Sequence, residues 1–176
     1  IQRMNDIVSY QLSRAARSGH ALYSAPIGIL PHAESIVSSL EKIYRSKGVL
    51  CEFEIDPKSQ FSGELGDLQE LLGNFLENAF KWARQRVLLT VRPLYEPAAK
   101  RPGLFLCIED DGTGIAPEDI SKILQRGVRG DERVQGHGIG MAIVQDIIQS
   151  YGGQLAVDRS AELGGARFTI TLPCLS

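Results

Sequence analysis

Residues 71–82 read LLGNFLENAFKW and sit inside a longer run, 66–83, whose apolar side chains recur at helical spacing. At about 100° per residue, Leu68, Leu72, Phe75, Leu76, Ala79 and Ala83 fall on one side of that helix, with Asp67 as a plausible N-cap. Asn74, Asn78 and Lys81 line up on another side, with Trp82 at its edge. Taken alone, such a stripe fits a solvated helix face. Asn is nevertheless a mediocre helix former. Two amide oxygens one turn apart suit a hard cation, and an ammonium one turn further can meet phosphate.

The apolar side of this helix needs a sheet to cover, and the flanking sequence supplies one. Upstream, a helix over 32–46 is closed by Gly48, and a strand over 49–55 is stopped by Asp56-Pro57. Downstream, β-like runs at 86–92 and 104–110 flank a Pro- and Lys-containing loop. Glycines and charges fill 111–138, too long for a plain connection and therefore functional or mobile. A helix over 139–150 ends at Gly152-Gly153, and strands over 154–158 and 166–172 are joined through Gly164-Gly165. Residues 1–18 carry one more amphipathic helical stripe, and 25–31, with Pro26 and Pro31, reads as an extended connector. This order predicts an α/β (α+β) two-layer sandwich, its mixed and mostly antiparallel sheet covered on one face by helices.

A chain of 176 residues is about one domain. With 19 basic and 21 acidic residues the net charge is -2, so no positive field exists to hold nucleic acid. No apolar run reaches the roughly 18 residues of a bilayer span, and the N-terminus lacks the apolar core of a signal peptide, so a soluble segment is expected. Cys51, Cys107 and Cys174 show no metal-binding spacing and are expected buried and reduced. The Ile1 start reads as a cut within a longer chain.

Two further stretches carry chemistry. Glu109-Asp110-Asp111-Gly112-Thr113-Gly114-Ile115 ends an apolar strand, where glycines permit close approach and the Asp111 carboxylate can accept from an amine. An ordinary strand-ending turn reads the same way. Gly136-His137-Gly138-Ile139-Gly140 opens the helix over 139–150, where exposed N–H groups suit an anion. Neither the GxGxxG spacing nor a P-loop is present.

In this order, on helix, strand end and loop-to-helix, the three stretches resemble the ATP-binding domain of sensor histidine kinases, a fold shared with the ATPase modules of Hsp90, DNA gyrase B and MutL. NFLENAFKW resembles the family's N box, DDGTGI its first glycine box and GHGIG its second, and the similarity covers 32–173. Within the family the chain is most similar to PhoQ-type sensors. The resemblance implies that Asp111 accepts the adenine amine while Gly112 and Gly114, with Ile115 beside them, let the nucleotide approach. It implies Asn78 as the Mg²⁺ ligand, Asn74 helping the metal or the phosphates, Lys81 pairing with phosphate and Trp82 stacking near adenine. Gly136, Gly138 and Gly140, with His137 and Ile139 between them, would cradle phosphates as a mobile ATP lid closes. Leu124 stands where the family has Phe, and Met141 replaces a common Leu. Arg126, Arg129 and Arg133 either belong to a solvated loop or reach the γ-phosphate, Arg126 being the first candidate.

Hydrolysing relatives carry a Glu one turn before the metal-binding Asn, as base for water; here that position is Asn74, and an amide cannot take the proton. Glu77 points about 100° away around the helix. A kinase is therefore favoured, with Asn74, Lys81 and Arg126 as its catalytic residues. None of His20, His32 and His137 has the setting of a phosphoacceptor, so the resemblance implies that the acceptor histidine lies outside this sequence. The implied layout is the end of a dimerisation helix over 1–20, a linker over 21–31 and an ATP-binding kinase domain over 32–176. The implied partners are ATP with Mg²⁺, the phosphoacceptor domain and a response regulator. The implied parent is a homodimer in the bacterial inner membrane with this domain in the cytoplasm. The alternatives are a nucleotide sensor without phosphotransfer, or an ATPase.

Overall fold

A computed structural model describes residues 25–124 and 139–175; the expected helix over 1–18 lies outside them. The strands are β1 (Ile27–Gly28), β2 (Leu50–Ile55), β3 (Gln60–Phe61), β4 (Arg86–Leu94), β5 (Gly103–Asp110), β6 (Gln154–Arg159) and β7 (Ala166–Leu172). The helices are α1 (Leu30–Ile43), α2 (Leu65–Trp82), α3 (Pro117–Leu124) and α4 (Ile139–Ser150). Five strands form one sheet in the order β2-β4-β5-β7-β6. β2 runs parallel to β4, and the other pairings are antiparallel, as the sequence predicts.

Alternation sorts the side chains. Leu89, Ile108, Phe168 and Val157 are cross-strand partners in one row, and all four are buried. Over this row lies α2, between α1 and α4, with the Phe75 ring 5.6 Å from that of Phe168. α3 and α4 extend the helical layer over β6. Among the described residues no helix is long and apolar enough to cross a membrane.

Several boundaries differ from the sequence expectation. The connector contains β1, which pairs with β3 in a separate two-stranded sheet. α1 begins at Leu30 rather than 32, because Pro31 falls in the first turn, where its missing N–H is not needed. The N-cap of α2 is Glu64. Asp67 instead lies buried in the first turn and accepts a 2.6 Å hydrogen bond from the Tyr151 hydroxyl. β4 continues through Pro93, which is tolerated because β2 ends opposite Val91 and offers no partner beyond it. Within the segment read as a loop, 117–124 form α3, docking Ile120 and Ile123 on the core. All three cysteines are free, with Cys107 buried and Cys51 and Cys174 half-buried.

The topology gathers one end of the sheet. Val87 pairs with Asp110, and Arg159 with Ala166, so the start of β4, the end of β5 and the β6–β7 turn lie together. The C-terminus of α2 feeds β4 at this end. α4 leads into β6 from the opposite end, where Tyr151 meets Asp67, so its N-terminus points back to the Asp110 end.

Candidate functional site

Along β5 the alternation that turns Leu104, Leu106 and Ile108 toward the helices turns Asp110 the same way. Asp110 is only 2% exposed. Its Oδ1 accepts from the N–H of Gly112 at 2.9 Å and of Ala166 at 3.3 Å, and its main-chain oxygen accepts from Gly165 at 3.0 Å. Among the described residues Oδ2 has no hydrogen-bond partner. Burial pushes the Asp110 carboxyl above its ordinary range; the bonds from Gly112 and Ala166 oppose this, neighbouring Asp111 adds to it, and Lys47 opposes it. Glycine is required around it. A Cβ at Gly165 would enter the Asp110 carboxylate, and one at Gly112 would enter the Trp82 carbonyl. Gly114 adopts a φ of +79°, open to glycine at little cost.

Asp111, expected from the resemblance to read adenine, is engaged elsewhere. Its Oδ1 accepts from the N–H of Arg84 at 2.7 Å and Gln85 at 3.1 Å, which ties the turn between α2 and β4. Burial pushes this carboxyl up, but hydrogen bonds from the backbone of Arg86, Gln85, Arg84 and Asp111 itself outweigh burial and leave it below its ordinary range.

The end of α2 forms the facing wall. Lys47 Nζ donates to the main-chain oxygens of Phe80 at 3.0 Å and Lys81 at 2.8 Å, satisfying carbonyls that a helix terminus leaves open. Lys81 is exposed, with Nζ 5.6 Å from the centre of the Trp82 ring. Trp82 is 42% exposed and so presents part of its ring to a ligand. One turn earlier, Asn78 is 7% exposed, and its Oδ1 is buried without a hydrogen-bond partner among the described residues. A buried amide oxygen left this way is costly in isolation and is a ligand of the type that Mg²⁺ takes, so this position fits the metal. Asn74 Nδ2 is held by Glu70, through its main-chain oxygen at 2.7 Å and Oε2 at 2.9 Å.

The structure thus brings Asn78, Lys81, Trp82, Gly112, Gly114 and the half-buried Ile115 to one end of the sandwich. Ile139 and Gly140 open α4, whose N-terminus points to that end. Arg126, Gly136, His137 and Gly138 lie outside the described residues. Four residues to which motif reading assigns no role contact the described candidates or one another: Asp110, Gly165, Lys47 and Glu70. Strand parity marks Asp110, and helical spacing before Asn74 marks Glu70. Lys47 carries no local signal, because it reaches α2 from a separate 3-10 turn over Arg45–Lys47.

Comparison with known proteins identifies the family. Residues 63–176 match the model of the histidine kinase-, DNA gyrase B-, and HSP90-like ATPase family. The two-component sensor PhoQ of Pseudomonas aeruginosa is 40% identical over 97% of this chain, which spans 36% of that protein. The chain therefore spans about a third of the length of the curated relatives it matches. Among solved structures, the mycobacterial sensor histidine kinase MprB is 26% identical with a TM-score of 0.65, over 86% of this chain and 99% of that one. Full-length ShkA in complex with AMPPNP is 22% identical with a TM-score of 0.66, over 99% of this chain and 37% of that one. With two thirds of its length matching the family model and with sensor kinases as its relatives, the chain belongs to the histidine kinase-, DNA gyrase B- and HSP90-like ATPase family.

Proposed function

We propose that this domain binds Mg·ATP and donates the γ-phosphoryl group to a histidine on a dimerisation domain, within a two-component sensor kinase. The observation that carries the reading is Asn78: a buried amide oxygen without a partner, one turn before the helix end that abuts the Gly112 turn. Family membership and the AMPPNP held by ShkA support ATP as the nucleotide.

In this reading Asp110, rather than Asp111, reads adenine. Its Oδ2 accepts from the exocyclic amine while Oδ1 stays on Gly112 and Ala166. Asp111 holds the adjoining turn. Trp82 covers the base, Lys81 meets phosphate, and Asn78 with Asn74 offers oxygens to Mg²⁺. A bound Mg²⁺ offsets phosphate charge and aligns the transferring group. Arg126 and the second glycine box, Gly136 to Gly140, complete the phosphate cradle, and the α4 N-terminus aimed at this end supports that role. Asn74 favours transfer over hydrolysis: its amide has no basic lone pair for water, and its nitrogen is already bonded to Glu70. For the longer protein we propose a homodimer in the bacterial inner membrane, passing its phosphoryl group to an aspartate of a response regulator; likeness to PhoQ supports this.

The test mixes the domain with a dimerisation-domain fragment and γ-labelled ATP. Acid-labile phosphohistidine on the fragment is the expected result. Tight nucleotide binding without transfer would make the domain a sensor, and steady phosphate release without an acceptor would make it an ATPase.

A further inference from the structure

The polar stripe of α2 extends one turn before Asn74, to Glu70, and the two side chains are joined. Asn74 Nδ2 donates to Glu70 Oε2 at 2.9 Å and to the Glu70 main-chain oxygen at 2.7 Å. Carboxylate and carbonyl oxygens only accept, so chemistry alone settles which end of the Asn74 amide faces them: the NH₂. Oδ1 takes no part in these two bonds, and Asn78 follows one turn later on the same stripe. Four residues of helix rise about 6 Å, close enough for two amide oxygens to meet one cation. Glu70 itself lies eight residues from Asn78, about 12 Å along the axis, too far to share that ion. Held by the main-chain oxygen alone, Asn74 is less restrained against turning its NH₂ toward the cation, where it repels rather than binds.

We propose that Glu70 is a positioning residue: its hydrogen bond locks the Asn74 amide with the oxygen toward Mg²⁺, completing a pair with Asn78. This rests on the Mg·ATP reading above. The side-chain part of this device is a hydrogen bond and not a charge, so glutamine can replace it, whereas alanine leaves only the main-chain bond to hold the amide.

Trp82, the sole tryptophan, reports ADP binding by fluorescence, in EDTA and across a Mg²⁺ titration. Glu70→Ala is expected to raise the Mg²⁺ concentration for half-saturation about tenfold, while Glu70→Gln stays within about twofold of the parent. ADP affinity in EDTA stays unchanged in both. Asn74→Ala loses as much as Glu70→Ala, and the double variant loses no more, because the two act as one unit. A parental Mg²⁺ response in Glu70→Ala overturns the proposal. So does equal damage in Glu70→Gln, which would make the effect one of charge, or loss of EDTA binding in Glu70→Ala, which would make Glu70 a support of the fold. If the parent protein binds ADP with no Mg²⁺ dependence, the metal reading itself falls and this inference falls with it. If the parent responds to Mg²⁺ and Glu70→Ala responds equally, only the inference falls.

Discussion

Asp110 and Asp111 are adjacent carboxylates pushed in opposite directions, and in the proposed reading the first binds nucleotide while the second holds a turn. For Asp110 the folded-state carboxyl lies above its ordinary range, so between the unfolded and folded values the native state binds more protons. Stability therefore rises as pH falls through that window, and above it the ionised group carries its full burial cost. Asp110→Asn keeps an oxygen for Gly112 and Ala166 and removes the charge. It is expected to melt higher than the parent near neutral pH without nucleotide, with the gap closing as the buffer is acidified. If Asp110 reads adenine as proposed, the same substitution places a donor against the base's amine, and nucleotide affinity should fall about a hundredfold. For Asp111 the sign reverses. Its folded value lies below the ordinary one, so its stabilisation is present above the unfolded value and lost as pH falls through the folded one. Asp111→Ala should destabilise the domain by about 1–2 kcal/mol, read by denaturant unfolding, and leave nucleotide affinity nearly intact. Lost binding in Asp111→Ala with retained binding in Asp110→Asn would return the adenine role to Asp111. The choice was open to a parity argument from sequence: Asp110 shares its face with Leu104, Leu106 and Ile108, whereas proximity to the glycines points to Asp111.

Among the elements, α2 was legible because its eighteen residues carry a sustained 3.6 period, and the same helix supplies both core and site. β1 and β3 have two residues each, too few for any period. α3 was obscured because its apolar contribution to the core is Ile120 and Ile123, set among charges. Lys47 was hidden for another reason: its bonds to Phe80 and Lys81 join segments more than thirty residues apart, and only the tertiary fold brings them together. The antiparallel arrangement of α2 and α4 depends on a comparable long-range tie. The Tyr151 hydroxyl donates to buried Asp67 and accepts from the Glu64 N–H at 3.2 Å, and its ring closes against Gly63. Tyr151→Phe keeps the ring and deletes both bonds. A loss of about 1–3 kcal/mol in unfolding free energy is expected, because a buried carboxylate and an amide lose that hydroxyl together. This tie lies at the end of the sandwich away from Asp110, so nucleotide affinity measured on the folded variant should match the parent. A matching loss of affinity would show that the register of α4 against α2 is transmitted to the site.

At the scale of the molecule, a nucleotide at the Asp110 end would touch β5, the turn before β7, the end of α2 and the start of α4, elements from both halves of the sequence. Such a ligand binds the native state and has nothing equivalent in the unfolded chain, so it must raise the melting temperature by mass action. At a ligand concentration a hundred times its Kd the gain is about 2.7 kcal/mol. For a domain of this size that is roughly 5–10 °C. The parent protein should show this shift with Mg·ADP. Asp110→Asn should begin above the parent and gain almost nothing, so that the two melting curves converge or cross as ligand is added. That crossing separates a residue kept for binding at a cost to stability from one that merely supports the fold. Two curves that rise in parallel would mean that the buried carboxylate is not where the nucleotide is read.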